Sequence, residues 1–188
     1  MTKHHSNTAL LIIDVQEGLD HPTYWGKRNN PDAEKNMEAL LQAWRAAQRP
    51  VIHIQHHSTS PKSPLRPGQS GNNIKPALRP LDTEPLYGKT VNSAFIGTTL
   101  ETDLHEKGIT DLVIVGLTTD HCVSTSTRMA GNLGFNVTLV GDATATFDRT
   151  APDGTYISAE TMHQINLASL HDEFCTVKNT AEVLERKQ

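Results

Sequence analysis

Of the two cysteines in the chain, Cys122 stands where a thiol could react. It lies in Gly116-Leu117-Thr118-Thr119-Asp120-His121-Cys122-Val123, which follows a strand-like run by a short turn and opens a helix. Backbone N–H groups at a helix N-terminus favour a thiolate and can donate to an oxyanion formed beside the sulfur. A depressed thiol pKa is therefore expected. The competing reading is a small buried core residue, and the surroundings must decide. Asp14 ends one strand-like run and Lys89 lies just after another. A carboxylate can take the thiol's proton, while an ammonium lowers the thiol pKa and holds the carboxylate in place. Singly, a strand-end Asp is often a loop cap and a Lys before a turn a solvated charge. Together Asp14, Lys89 and Cys122 make a base, a cationic stabiliser and a nucleophile. Cys175, inside the apolar run Phe174-Cys175-Thr176-Val177, has none of this context and reads as core packing.

The elements that must position these residues are visible as hydrophobic patterns. Ala9-Leu10-Leu11-Ile12-Ile13 is continuously apolar instead of alternating, which marks a strand buried on both faces and puts Asp14 at its C-terminal edge. Met37, Leu40, Leu41 and Trp44 recur at helical spacing within residues 31–48, with Pro31 suited to a first turn. Arg49-Pro50 breaks that helix, and Val51-Ile52-His53-Ile54 makes the next strand. Residues 58–80 hold five of the chain's ten prolines together with Gly68 and Gly71, which predicts a long loop. Loops of this length in a compact domain are usually functional, the alternative being a surface excursion or a contact between subunits.

Further on, a helix is expected over residues 97–107 with Gly108 as its left-handed cap, then a buried strand over 111–116. A helix over 123–133, capped by Gly134, and a strand over 136–140 repeat the pattern. A helix over 158–170, a short strand at 174–177 and a terminal helix from Thr180 complete it. Alternating strands and helices predict an α/β fold, a doubly wound (Rossmann-like) parallel sheet with helices on both faces. A chain of 188 residues is expected to form one domain, residues 1–188.

Composition limits the partners. The formal net charge is −4, and no cluster of Lys or Arg marks a nucleic-acid footprint. No apolar run approaches the ~20 residues that cross a bilayer, so no membrane partner is expected. The polar stretch 1–7 lacks the basic-then-apolar order of a secretion signal. A cytoplasmic location is expected, and His4 and His5 read as an exposed terminus. Two cysteines do not make a disulfide scaffold.

Three segments carry a resemblance: Leu10-Leu11-Ile12-Ile13-Asp14-Val15-Gln16, Gly88-Lys89-Thr90-Val91-Asn92-Ser93-Ala94-Phe95, and Gly116 to Val123 running on to Asp142-Ala143. In this order they resemble the isochorismatase-like cysteine hydrolases, which include nicotinamidases and N-carbamoylsarcosine amidase. The resemblance spans most of the chain. It implies a six-stranded parallel sheet and a catalytic triad of Asp14, Lys89 and Cys122. It also implies a cis peptide at Leu117-Thr118 and an oxyanion hole from the backbone amides of Thr118 and Cys122. The reaction it implies is hydrolysis of a small-molecule C–N bond (amide, imide or ureide) through a thioester, with a homo-oligomer, dimer or tetramer, as the working form. Isochorismatases proper cleave a vinyl ether and generally lack this cysteine, so Cys122 favours the C–N substrate. An ether hydrolase and a non-catalytic binding module are the alternatives.

Nicotinamidases carry an Asp-x-His metal motif where this chain has His56 and Ser58. That departure, and the strand alternation that separates His53 from His56, leads to the expectation of no metal and no cofactor. The pocket wall is expected to draw on Gln16, Tyr24, Trp25, His56, Phe95, Thr119 and His121, with Leu19 beside them. Alternatives stay open for several. Gln16 either meets substrate or makes a structural hydrogen bond, Tyr24 and Trp25 either close over a flat ligand or pack locally, and His56 either lines the pocket or is solvated.

Overall fold

A computed structural model of the chain describes residues 7–21 and 23–185; His4 and His5 lie outside them. In chain order the elements are β1 (Thr8–Ile13), α1 (Ala33–Ala46), β2 (Val51–His56), β3 (Leu86–Lys89), α2 (Leu100–Glu106) and β4 (Asp111–Leu117). There follow α3 (Ser124–Asn132), β5 (Asn136–Ala145), β6 (Arg149–Thr150), β7 (Tyr156–Ile157), α4 (Ala159–Leu170), β8 (Thr176–Lys178) and α5 (Thr180–Glu185). Six strands form one sheet in the order β3-β2-β1-β4-β5-β8, and each neighbouring pair is parallel. The expected doubly wound α/β fold is the observed one.

The continuous apolar run of β1 is explained by what covers it. Leu10 and Ile12 pack with Met37, Leu40, Leu41 and Trp44 of α1. Ala9, Leu11 and Ile13 point the other way and pack with Leu100 and Leu104 of α2 and Ala130 of α3. A strand covered on both faces cannot alternate with polar residues. The chain reverses its winding between β1 and β4, and in such sheets the crevice outside the strands' C-terminal ends at that point is where ligands bind.

Gly116 brings the two central strands unusually close there. Its φ is +129°, and a Cβ on it would lie 2.1 Å from the carbonyl oxygen of Ile13. Only glycine fits, so β4 presses against β1 just before the turn that carries Cys122.

Several expected boundaries move. Lys89 is the last residue of β3 instead of following it, and β5 runs on to Ala145. The expected helix from Val123 starts as a π-turn, Thr119–Val123, that leads into α3. Cys175 precedes β8 instead of lying within it, and it is buried as expected, with its Sγ 3.6 Å from the Leu170 carbonyl oxygen. The two-residue strands β6 and β7 pair as a hairpin that has no sequence pattern to announce it.

The proline-rich loop is long but ordered by its neighbours. It contains the short 3₁₀ turns Ser70–Asn72 and Pro76–Leu78. Glu17 donates its N–H to the Asn73 carbonyl at 2.9 Å and Lys75 donates to that of Val15 at 2.9 Å. A Cβ on Gly71 would lie 2.2 Å from the Pro64 carbonyl oxygen, so the loop folds back on itself backbone to backbone. No described helix is long and apolar enough to cross a membrane.

Candidate active site

Asp14, Lys89 and Cys122 leave the C-terminal ends of three different strands of one sheet, and parallel strands end at the same edge. Asp14 follows β1 with a φ of +51°, in the left-handed region that Asp tolerates better than most residues. This kink turns its carboxylate back over the strand ends. Lys89 faces His56 across the β2–β3 register. Cys122 sits in the π-turn after β4, and the Leu117–Thr118 peptide between them is cis.

The three side chains meet. Lys89 Nζ lies 2.6 Å from Asp14 Oδ2 and 3.3 Å from Cys122 Sγ. It also lies 3.2 Å from His56 Nδ1. An ammonium has three N–H donors, and each has an acceptor here. Asp14 and Lys89 are each 2% exposed, so each charge depends on the other for its stability. Asp14 Oδ1 is buried without a hydrogen-bond partner, which leaves it a lone pair for a proton arriving from the thiol.

The thiol itself corrects an expectation. Burial pushes its pKa up, the Asp14 carboxylate adds to that, and Lys89 opposes it without prevailing. That direction is opposite to the one expected of a thiol at a helix N-terminus. Burial also lowers the pKa of His56, and the Lys89 charge lowers it further, so the imidazole is neutral.

A cavity of about 150 Å³ opens onto Cys122. Tyr24, Trp25, His56 and His121 line it, as expected, and Leu19 does too. Three other residues expected in the wall are absent from it, and for Gln16 the structural alternative is the one observed. Gln16 is wholly buried, and its amide is used at both ends: Oε1 accepts from the His56 N–H at 2.9 Å and Nε2 donates to the His56 and Asn72 carbonyls at 3.0 and 2.8 Å. Phe95 turns away into the core beside Phe135. Thr119 is buried, and its hydroxyl pairs with His163 Nδ1 at 2.8 Å, behind the turn.

Five wall residues were missed: Ser58, Ser63 and Leu65 of the proline-rich loop, Asn92 after Lys89, and Leu117 at the end of β4. The Asn92 Oδ1 is 3.9 Å from Cys122 Sγ. Asn92 lies inside a segment already singled out, so proximity to Lys89 could have found it. Ser63 and Leu65 reach the site only through the backbone packing of their loop, which has no sequence signal. That loop is a wall of the site.

The expected separation of these histidines holds: His53 pairs with Glu84 at 2.9 Å and His57 with Asn72 at 3.2 Å, and of the three His56 is the one that faces the cavity. A different set of ligand-type atoms does converge, from Asp14, His56 and Cys122, all within 4.8 Å of one another. The Lys89 ammonium is in contact with all three residues, so the protein's own cation already donates hydrogen bonds to this set.

A model of the isochorismatase domain matches residues 8–182. The uncharacterized isochorismatase family protein YrdC of Bacillus subtilis (strain 168) is 49% identical over 176 residues, which covers 94% of each chain. The crystal structure of an isochorismatase-family protein from Chromobacterium violaceum ATCC 12472 is 46% identical, with a TM-score of 0.92 over 96% of this chain and 93% of that one. A cysteine hydrolase from Pseudomonas syringae pv. phaseolicola 1448A is 27% identical, with a TM-score of 0.86 over 96% and 92% of the two chains.

Proposed function

The chain belongs to the isochorismatase family of hydrolases, and from that premise we propose that it hydrolyses a small-molecule C–N bond with Cys122 as nucleophile. The observation that carries this reading is the position of Lys89 Nζ, within hydrogen-bond reach of both Asp14 Oδ2 and Cys122 Sγ. The likeness to a solved cysteine hydrolase supports it.

In the proposed cycle Asp14 takes the Cys122 proton as the sulfur attacks the substrate carbonyl. Lys89 stays charged, balancing the negative charge as it moves from carboxylate to sulfur. A thiol pKa pushed up by burial and by the Asp14 charge suits this order, in which the proton leaves only as the S–C bond forms. The Thr118 and Cys122 amides hold the oxyanion, a donor of this kind contributing about 3 kcal/mol in comparable sites. The C–N bond breaks, Asp14 returns the proton to the leaving nitrogen, and a thioester remains. Water then attacks the thioester, giving one proton to Asp14. The C–S bond breaks, and the thiol regains that proton as the acid leaves. Lys89 supplies the positive charge that the cycle needs without a cofactor.

Incubation with a panel of small amides should release ammonia and give a Cys122 acyl adduct visible by intact mass. Cys122→Ala should keep the fold and release none. Full ammonia release by Cys122→Ala overturns the proposal.

A further inference from the structure

The wall of the cavity differs from the catalytic group in one respect: it holds no cation free to meet an anionic ligand. Among the described lining residues Asp14 alone is a carboxylate and there is no arginine or lysine; of the two histidines, His56 accepts from Lys89 at 3.2 Å, and His121 lies 3.6 Å from the Asp120 carboxylate, which answers any positive charge on it. Lys89 answers Asp14 at 2.6 Å and spends its other donors on Cys122 and His56. The nearby Arg149 is committed to Asp120 at 2.8 Å.

The rest of the wall is apolar or neutral. Leu19, Leu65 and Leu117 line it together with Tyr24 and Trp25. Trp25 is fixed in place: its Nε1 donates to the Gly18 carbonyl at 2.8 Å, and its ring stacks on Phe147 at 5.6 Å and meets the Tyr24 edge at 4.6 Å. Ser58, Ser63 and Asn92 offer uncharged polar groups. The volume of about 150 Å³ is below the ~300 Å³ at which sites for drug-sized ligands begin.

We infer that the substrate is a small amide without a carboxylate, its flat or aliphatic body laid against Tyr24 and Trp25. This rests on the reading of Cys122 as the nucleophile. A carboxylate entering the cavity loses its hydration and meets no cation with a donor to spare, whereas an uncharged body meets the wall at no such cost.

The first test needs no substrate. Iodoacetamide and iodoacetate both alkylate a thiol, forming the S–C bond and releasing iodide, and they differ by an amide against a carboxylate. Relative to their rates with 2-mercaptoethanol, Cys122 should prefer iodoacetamide by about tenfold or more, which corresponds to ~1.4 kcal/mol. Ser58→Arg puts a cation in the wall and should shift the ratio toward iodoacetate. A preference for iodoacetate in the unaltered protein means that the field of Lys89 reaches the cavity unspent, and it overturns the inference.

The second test compares kcat/KM for butyramide against succinamate and for benzamide against phthalamate. Faster turnover of the uncharged partner in each pair supports the inference. Faster turnover of the carboxylate-bearing partners sinks it while leaving the hydrolase reading intact. Alkylation selectivity with no amide turned over is the reverse result, sparing the cavity without a free cation and removing the hydrolase reading.

Discussion

Nζ of Lys89 stands 3.2 Å from Nδ1 of His56, and because an ammonium has no lone pair, the imidazole nitrogen can only accept. His56 thereby fixes the direction of the third N–H of Lys89, and the other two are left aimed at Asp14 and Cys122. His56→Phe should keep the fold, by circular dichroism, and lower kcat roughly ten- to hundredfold, the worth of one hydrogen bond to a charged group. His56→Asn keeps an acceptor and should recover part of the loss. Equal activity in both variants and the parent would remove His56 from the constellation.

Burial, the leading cause in each case, lowers the pKa of His53, His56 and His163 below the ordinary 6.5. Between the folded values and 6.5 the unfolded chain therefore binds more protons than the folded one, and stability rises with pH. Acidification from pH 7 to 5 should lower Tm. The nearly inaccessible His53 and His163 each contribute up to ~1.4 kcal/mol per pH unit in that window. Glu84 acts in the same direction at lower pH: burial alone would raise its pKa, but the Arg45 hydrogen bond and its other partners hold it at about 2. A Tm unchanged between pH 7 and 5 would contradict this account.

Lys89→Met leaves the Asp14 carboxylate, 2% exposed, without its cation. Breaking a buried pair from one side costs about 3–5 kcal/mol, which urea unfolding should read directly. Adding Asp14→Asn removes the stranded charge and should recover much of the stability but none of the activity. A double variant no more stable than the single one would place the cost elsewhere.

Asp14→Asn alone separates thiol ionisation from turnover. The Asp14 charge raises the Cys122 pKa and Lys89 lowers it, so without the carboxylate the thiolate should form at lower pH. Ultraviolet thiolate absorbance followed against pH should show the titration move down while amide turnover is lost. An upward shift would mean that Asp14 stabilises the thiolate, against the order of steps proposed above.

Gly116→Ala should be the most disruptive single-methyl change near the site. The added Cβ would lie 2.1 Å from a backbone oxygen on a residue with φ +129°, and neither can yield cheaply. A loss of more than ~2 kcal/mol is expected, and full thermal stability in the variant would show that β4 can move off β1.

What could be read from sequence followed from local pattern. The run Leu10 to Ile13 gave its strand because burial on both faces leaves a continuous apolar signature, and the strand ends then carried Asp14 and Lys89 to one edge. Phe95 and Thr119 misled because they neighbour true site residues in sequence but point into the core or behind the turn. Ser63 and Leu65 were invisible because they reach the cavity through backbone contacts between Gly18, Pro64 and Gly71, which have no side-chain pattern. The direction of the Cys122 shift was missed for a different reason: it depends on how much water the folded site excludes, which helix position alone does not tell.

The Gln16 amide grips both backbone groups of His56, and together with the Gln55 amide it holds the Asn72 carbonyl. Asn72 in turn holds the Leu65 carbonyl at 2.7 Å. The loop that walls the cavity is thus stitched to His56, the residue that accepts from Lys89, and lifting it would disturb the proposed catalytic group. A substitution that frees the loop, such as Asn72→Ala, should therefore be felt at His56 as well as at the cavity wall.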